Sequence, residues 1–220
     1  MSPPYRIAVL ASGRGSNLQA LIDAIADGRL DAQIVGVFSD KRDAFALQRA
    51  EAAGLPAHAI EPREFATRLE FDERLFSRID ALDPDLIVCV GYMRLISARE
   101  VDARRGRLLN IHPSLLPAFK GLRTHAQALA ADVREHGASV HYLTADLDGG
   151  PVIAQVVVPV HVDDNAESLA NRVLAREHPL LIETLRLIAA ARITLADDAV
   201  RLDGTPLPTP LQLAANNRFA

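Results

Sequence analysis

Short apolar runs alternate along the chain with longer stretches in which apolar positions recur every three or four residues. The runs at 7–10, 34–38, 86–90, 108–111, 139–143 and 152–158 predict strands. The stretches at 17–26, 44–53 and 64–82 predict helices, the last on Phe65, Leu69, Leu75, Ile79 and Leu82. Strand then helix, repeated, demands crossover connections, which make neighbouring strands parallel and place the chain in the α/β class with a doubly wound sheet. Later the pattern changes. Between the runs at 139–143 and 152–158 lies little more than Asp146-Leu147-Asp148-Gly149-Gly150-Pro151, too short for a crossover, so that pair is expected to be antiparallel. A last helix, about 167–191, contains Pro179, which should kink or split it. Residues 200–207 read as a hairpin around Asp203-Gly204, and the rest of the chain after 195 is too loosely patterned to interpret.

With 220 residues, 49% hydrophobic and 24% charged, the chain can bury a full core as one globular domain, or one with a small appendage. A net charge of −4 and no run of Lys and Arg argue against a nucleic-acid partner and for small molecules. Cys89 is the single cysteine, which excludes an internal disulfide and fits a reducing compartment; within Leu86-Ile87-Val88-Cys89-Val90 it reads as a buried small hydrophobe. The N-terminus has no charged leader, and no apolar stretch approaches the ~18 residues of a membrane span, so a cytoplasmic protein with no membrane partner is expected.

Three segments carry chemistry. In Asn110-Ile111-His112-Pro113 an amide and an imidazole stand two residues apart at the end of an apolar run, and strand alternation aims both to one side. In Ala11-Ser12-Gly13-Arg14-Gly15-Ser16-Asn17-Leu18 a small-residue loop leads from the first strand into the first helix. Backbone N–H groups at the positive end of that helix make an anion site, with Ser16 and Asn17 adding side-chain donors and capping the helix. The pattern is neither Gly-x-Gly-x-x-Gly nor a Lys-containing P-loop, so it implies a single phosphate rather than a dinucleotide or a nucleoside triphosphate. The third is Asp146-Leu147-Asp148-Gly149-Gly150-Pro151, a tight turn able to present a carboxylate to His112 and favour its protonated form. Asp148, immediately before the glycines, is the preferred carboxylate; Asp146 competes with it. The scattered histidines offer no metal-ligand spacing.

Together these residues resemble the phosphoribosylglycinamide formyltransferases, folate-dependent enzymes of purine biosynthesis, from residue 7 to about 190. The resemblance rests on Ser12-Gly13-x-Gly15-Ser16-Asn17-Leu18-Gln19-Ala20, Gly91-Tyr92-Met93-Arg94-Leu95-Ile96-Ser97, Leu109-Asn110-Ile111-His112-Pro113-Ser114-Leu115-Leu116-Pro117, Gly121-Leu122-x-Thr124-His125-x-Gln127-Ala128 and Leu147-Asp148-Gly149-Gly150-Pro151. It implies a Rossmann-like formyltransferase fold, with a mostly parallel sheet flanked by helices and antiparallel strands in the C-terminal part. It also implies one domain over 1–220, comprising a phosphate-binding half at about 6–105, a catalytic and folate half at about 106–195 and a tail at 196–220. The implied reaction moves a formyl group from 10-formyltetrahydrofolate, a co-substrate, to the amine of a ribose-5-phosphate glycinamide, without a metal. Asn110, His112 and Asp148 would be catalytic, and Gly15, Ser16 and Asn17 would hold the phosphate. Glu177 would bind the other end of that substrate, although from the residues alone it reads as an exposed helical glutamate. Arg68, Tyr92, Met93, Arg94, Leu95, Ile96, Asn110 and Thr144 would border the folate; for Arg94 a surface ion pair is the competing explanation. A monomer or a homodimer is expected.

Lys120 and Arg123 depart from the family pattern, in which proline and histidine are frequent, so the loop after His112 is expected to differ in shape or charge. Three rivals share parts of the pattern. A formyltetrahydrofolate deformylase would usually carry an extra domain before the catalytic one, whereas strand one here begins at about residue 6. A methionyl-tRNA formyltransferase would need a C-terminal tRNA-binding domain. A phosphometabolite-binding protein would bind without turnover.

Overall fold

The computed structural model describes residues 3–219, which form two compact units dividing between Asn110 and Ile111. In the first unit the chain runs β1 (Tyr5–Leu10), α1 (Ser16–Ala26), β2 (Ala32–Ser39), α2 (Phe45–Ala52), β3 (Ala57–Ala59), α3 (Arg68–Asp80), β4 (Leu86–Cys89), α4 (Ala98–Ala103) and β5 (Leu108–His112). The strand order is β3-β2-β1-β4-β5 and every pair is parallel. Ile7 stands level with Ile34 on one side and Leu86 on the other. Because crossover helices cover parallel strands, β1 is buried on both faces, and Ile7, Ala8, Val9 and Leu10 form an unbroken apolar run with no exposure. Cys89 is buried in β4, where burial pushes its thiol up to about 12.

The helix expected over 64–82 begins later. Pro62–Glu64 is a 3-10 turn, and α3 starts only after Thr67, whose hydroxyl accepts the Glu70 N–H at 3.2 Å while the Glu70 carboxylate accepts the Ala66 N–H at 3.1 Å. Such a cap stabilises by about 1 kcal/mol and outweighs the helical spacing of Phe65 upstream. The buried stripe is therefore Phe71, Leu75 and Ile79 with Phe76, and Leu69 is left 44% exposed.

The second unit contains α5 (Thr124–Ala130), β6 (Glu135–Tyr142), β7 (Val152–Pro159), α6 (Ala166–Ala189), β8 (Ile193–Ala196), β9 (Ala199–Leu202), β10 (Thr205–Pro206) and β11 (Leu211–Gln212). As expected, β6 and β7 are antiparallel; β11 adds to β7 in parallel, and β8, β9 and β10 form a small antiparallel sheet. The fold is thus α/β, with mostly parallel pairing early and antiparallel strands in the C-terminal part. Pro179 does not split the helix, since α6 runs as one element across it. Its start is fixed by a capping box between Asn165 and Ser168. Burial of Val173, Leu180, Leu181, Leu185 and Ile188 offsets the bond that Pro179 cannot donate. The tail is more ordered than its composition implies. Arg176 donates to the Asn217 side chain (2.6 Å) and the Ala214 carbonyl (2.8 Å), and Arg218 pairs with Glu183 at 3.1 Å.

Candidate active site

In the first unit, the loop between β1 and α1 is shaped by hydrogen bonds on its carbonyl side. The Gly13 carbonyl accepts the Ala46 N–H at 3.0 Å, and the Arg14 carbonyl accepts Arg49 Nε at 2.9 Å. Carbonyl and N–H of a trans peptide point in opposite directions, so the N–H groups of Arg14 and Gly15 face away from α2. Gly15 has φ 69°, and a Cβ there would come within 2.7 Å of Ala46 Cα, which makes glycine a requirement of the close loop–helix approach. Gly15 is also the N-cap of α1, with no side-chain cap. The expectation that Ser16 and Asn17 cap the helix is corrected: both lie in its first turn, where N–H groups lack intrahelical partners and the dipole is positive. That is a geometry for an anion.

A second loop, 90–97, lies between β4 and α4. Its start is tied to Ser12, which donates its N–H to the Gly91 carbonyl (3.1 Å) and accepts the Met93 N–H on Oγ (2.9 Å). Its end is tied to Asp72, buried in α3, whose carboxylate accepts the Ser97 N–H at 2.8 Å. Between these ties Met93 and Leu95 are exposed at 62% and 57%, apolar side chains within reach of a ligand. The Tyr92 hydroxyl is buried without a hydrogen-bond partner, and burial raises its pKa strongly. The Arg94 guanidinium lies over the Phe71 ring at 5.0 Å rather than in the ion pair that was its alternative explanation, and its Nε takes no hydrogen bond. Arg68 is the exposed first residue of α3. Asn110 is half-buried on β5.

In the second unit, His112 is buried at the end of β5. Its Nε2 lies 3.1 Å from the Phe119 carbonyl, which can only accept, so Nε2 bears a hydrogen. Its Nδ1 lies 3.6 Å from Asp148 Oδ2. That oxygen also accepts the Gly121 N–H at 2.9 Å. Asp148 adopts φ 45°, a left-handed conformation that costs a non-glycine residue about 1 kcal/mol or more and is held where surroundings enforce it. The structure separates the two candidate carboxylates: Asp148 faces His112, and Asp146 is exposed.

The loop after His112 is stitched in place. Thr124 Oγ1 donates to the Pro113 carbonyl (2.7 Å), Ser114 Oγ to the Ala118 carbonyl (2.7 Å) and Ser139 Oγ to the Ser114 carbonyl (2.7 Å), while Gln155 holds both the Leu116 carbonyl and Ser139 at 2.9 Å. These bonds set the Phe119 carbonyl against the imidazole. Lys120 and Arg123, the departures from the family pattern, lie beyond them, and Arg123 takes φ 57° as the N-cap of α5.

Two features escaped the sequence reading. His141 is a second imidazole beside Asp148, with Nε2 3.8 Å from Oδ1 and Nδ1 donating to the Tyr142 carbonyl at 3.0 Å. The alternation of Ser139 and His141 on β6 was the available signal. The Phe119 carbonyl had none, because backbone groups carry no sequence mark. Thr144 follows β6, its hydroxyl buried and without a hydrogen-bond partner. Glu177, read from the residues alone as an exposed helical glutamate, is instead buried in α6 at 8% exposure. Among the described residues no cluster of three or more His, Cys, Asp or Glu could hold a metal ion.

Burial lowers His141 and His136 to about 4 each; His136 has no exposure and stacks edge-on against His125, with Nε2 and Nδ1 3.2 Å apart. In the unfolded chain both titrate near 6.5. Between pH 6.5 and 4 the unfolded state therefore binds more protons, so stability is complete above about 6.5 and declines as pH falls toward 4. The expected loss at pH 5 is on the order of 2 kcal/mol per ring. Thermal unfolding should give a clearly lower Tm at pH 5 than at pH 7.5, and equal values would contradict two buried neutral imidazoles.

Known proteins place this arrangement. The formyl transferase family model matches residues 5–185. The phosphoribosylglycinamide formyltransferase of Escherichia coli is 45% identical over 92% of this chain and 95% of its own. The crystal structure of a phosphoribosylglycinamide formyltransferase from Coxiella burnetii superposes with a TM-score of 0.90 at 47% identity, covering 93% of this chain and 96% of that one. A formyltetrahydrofolate deformylase from Pseudomonas syringae pv. tomato is similar at 25% identity and a TM-score of 0.83, but this chain covers only 66% of its length. On a match that takes in both the small-residue loop after β1 and the His112–Asp148 pair, the chain belongs to the formyl transferase family.

Proposed function

We propose that this protein transfers the formyl group of 10-formyltetrahydrofolate to the amine of 5'-phosphoribosylglycinamide, giving formylglycinamide ribonucleotide and tetrahydrofolate in purine biosynthesis. The observation that carries the reading is the similarity to the E. coli phosphoribosylglycinamide formyltransferase, 45% identical over 92% of this chain and 95% of its own, against 25% identity to the deformylase, of whose length this chain covers 66%. Gly15, Ser16 and Asn17 hold the phosphate, with Glu177 at the other end of that substrate. Arg68, Tyr92, Met93, Arg94, Leu95, Ile96, Asn110 and Thr144 serve the folate. Met93 and Leu95 supply apolar surface, and Arg68 meets the acidic tail.

The amine nitrogen attacks the formyl carbon, a C–N bond forms, and the carbonyl oxygen becomes negative. Asn110 donates to that oxygen through its amide, and protonated His112 through a ring N–H. With Nε2 held by the Phe119 carbonyl, Nδ1, on the Asp148 side, is the nitrogen that gains and offers a proton. Collapse of the intermediate breaks the bond between the formyl carbon and the folate nitrogen. The proton lost by the amine reaches that nitrogen through a water ordered by Asp148. The ligands are small molecules. No helix among the described residues is long and apolar enough to cross a membrane. A cytoplasmic monomer or homodimer, without nucleic acid or membrane, completes the reading.

Mixing the protein with 10-formyltetrahydrofolate, with and without glycinamide ribonucleotide, tests it by absorbance. Tetrahydrofolate should appear only when the amine is present. Release without the amine would identify a hydrolase, and no release in either case would leave a binding protein.

A further inference from the structure

Ser12 is 3% exposed and contributes to no step above. Its two hydrogen bonds grip Gly91-Tyr92-Met93 from both ends, the N–H on the Gly91 carbonyl and the Oγ on the Met93 N–H. The next residues in the chain, Gly13 and Arg14, are those whose carbonyls are fixed by Ala46 and Arg49. One buried side chain thus stands between the loop that holds the phosphate and the loop that borders the folate, bonded to the second and continuous with the first. All of these residues belong to the first unit.

We propose that Ser12 is a positioning residue that couples the two substrate loops, so that filling the phosphate loop sets the folate loop's register. The inference rests on the loop assignments made above. The physical argument is that Ser12 cannot shift with its own loop without dragging the Met93 N–H, because a part-buried N–H released from its acceptor costs about 1–3 kcal/mol. Whatever affinity one ligand gains from ordering its loop is then shared with the other, and reciprocally.

The test measures the Kd of tetrahydrofolate with and without saturating ribose 5-phosphate, in the wild type, in Ser12→Ala and in Ser12→Thr. In the wild type, ribose 5-phosphate should change that Kd at least about fivefold, the lower end of the usual allosteric range. In Ser12→Ala, which keeps the N–H but loses Oγ, the factor should fall to about one, while the Kd of ribose 5-phosphate alone changes less than about twofold. Ser12→Thr, which keeps the hydroxyl, should restore the coupling. Ser12→Gly also removes Oγ and serves as a second variant without the hydroxyl, and thermal unfolding confirms that each variant is folded. No coupling in the wild type, or undiminished coupling in both Ser12→Ala and Ser12→Gly, overturns the proposal. A wild type that neither binds tetrahydrofolate nor releases it from the formyl donor sinks the functional reading itself. One that turns over with coupling indifferent to Ser12 sinks only the role of Ser12.

Discussion

Replacing His112 with alanine should lower kcat about 10²–10³-fold, the usual cost of losing one oxyanion donor, with little change in either KM. The size follows from when the bond matters: the formyl oxygen carries negative charge only in the intermediate, so donation from His112 is worth most there. Asp148→Asn should cost about 10²-fold in kcat, since the amide lacks the carboxylate's charge beside His112 Nδ1 and cannot order the proton-carrying water in the same way. Asp146→Asn serves as the internal control. Asp146 is exposed, whereas Asp148 lies between His112 and His141, so the control should behave as wild type. Equal losses for the two carboxylates would remove Asp148 from its role. Unchanged turnover in His112→Ala would reduce the site to binding alone.

A large loss of stability is expected at Gly150. A Cβ there would overlap the Tyr142 carbonyl oxygen and approach Thr144 Cγ2 to 3.2 Å. Tyr142 closes β6, and its N–H is bonded to the Pro151 carbonyl at 3.0 Å, so the obstructing atom is strand backbone that can move only by breaking the β6–β7 end. Gly150→Ala should therefore cost about 4 kcal/mol or more, a fall of roughly 10 °C in Tm for a chain of this size. Gly149→Ala meets the Asp146 Cβ at 2.7 Å, next to the backbone of an exposed turn, and Gly204→Ala meets nothing within 4 Å but keeps φ 80°. Gly204→Ala should cost far less, and Gly149→Ala an intermediate amount. Thermal unfolding of the three variants provides the comparison, and a Gly150→Ala protein melting within a degree or two of wild type would mean that the strand end yields.

The elements legible in the chain were those whose burial is regular. Parallel strands covered on both faces read as apolar runs, and the turn through Asp148 is too short for anything but an antiparallel return. Short elements left no period to detect: β3 has three residues, β11 has two, and α4 and α5 have six and seven. The start of α3 was misread because helical spacing is blind to a cap, and Thr67 rather than Phe65 decides where the helix begins. Pro179 was read by its local rule, which the packed side of α6 overrides. At the site, side chains at strand ends were legible and their backbone partners were not. Asn110 and His112 stand out at the end of an apolar run and Asp148 is one of two carboxylates in its turn, whereas the Phe119 carbonyl and the Gly121 N–H that meet the imidazole and the carboxylate exist only once the loop is folded. His141 was within reach. A histidine in a buried strand, however, ordinarily reads as packing.

The parallel addition of β11 to β7 has a consequence during protein synthesis. The outer edge of β7, Val152-Ile153-Ala154-Gln155-Val156-Val157-Val158, is rich in β-branched residues and is the kind of edge on which other chains pair. Its cover, Leu211 and Gln212, leaves the ribosome tens of residues later, a delay of several seconds at about 5–20 residues per second. Throughout that interval the Ala154–Gln155 stretch of this edge lacks its partner. Demand for a chaperone should therefore be concentrated in the last seconds of translation, and a stop codon in place of residue 211 should show itself first as insoluble protein in the cell rather than as an altered rate in the assay.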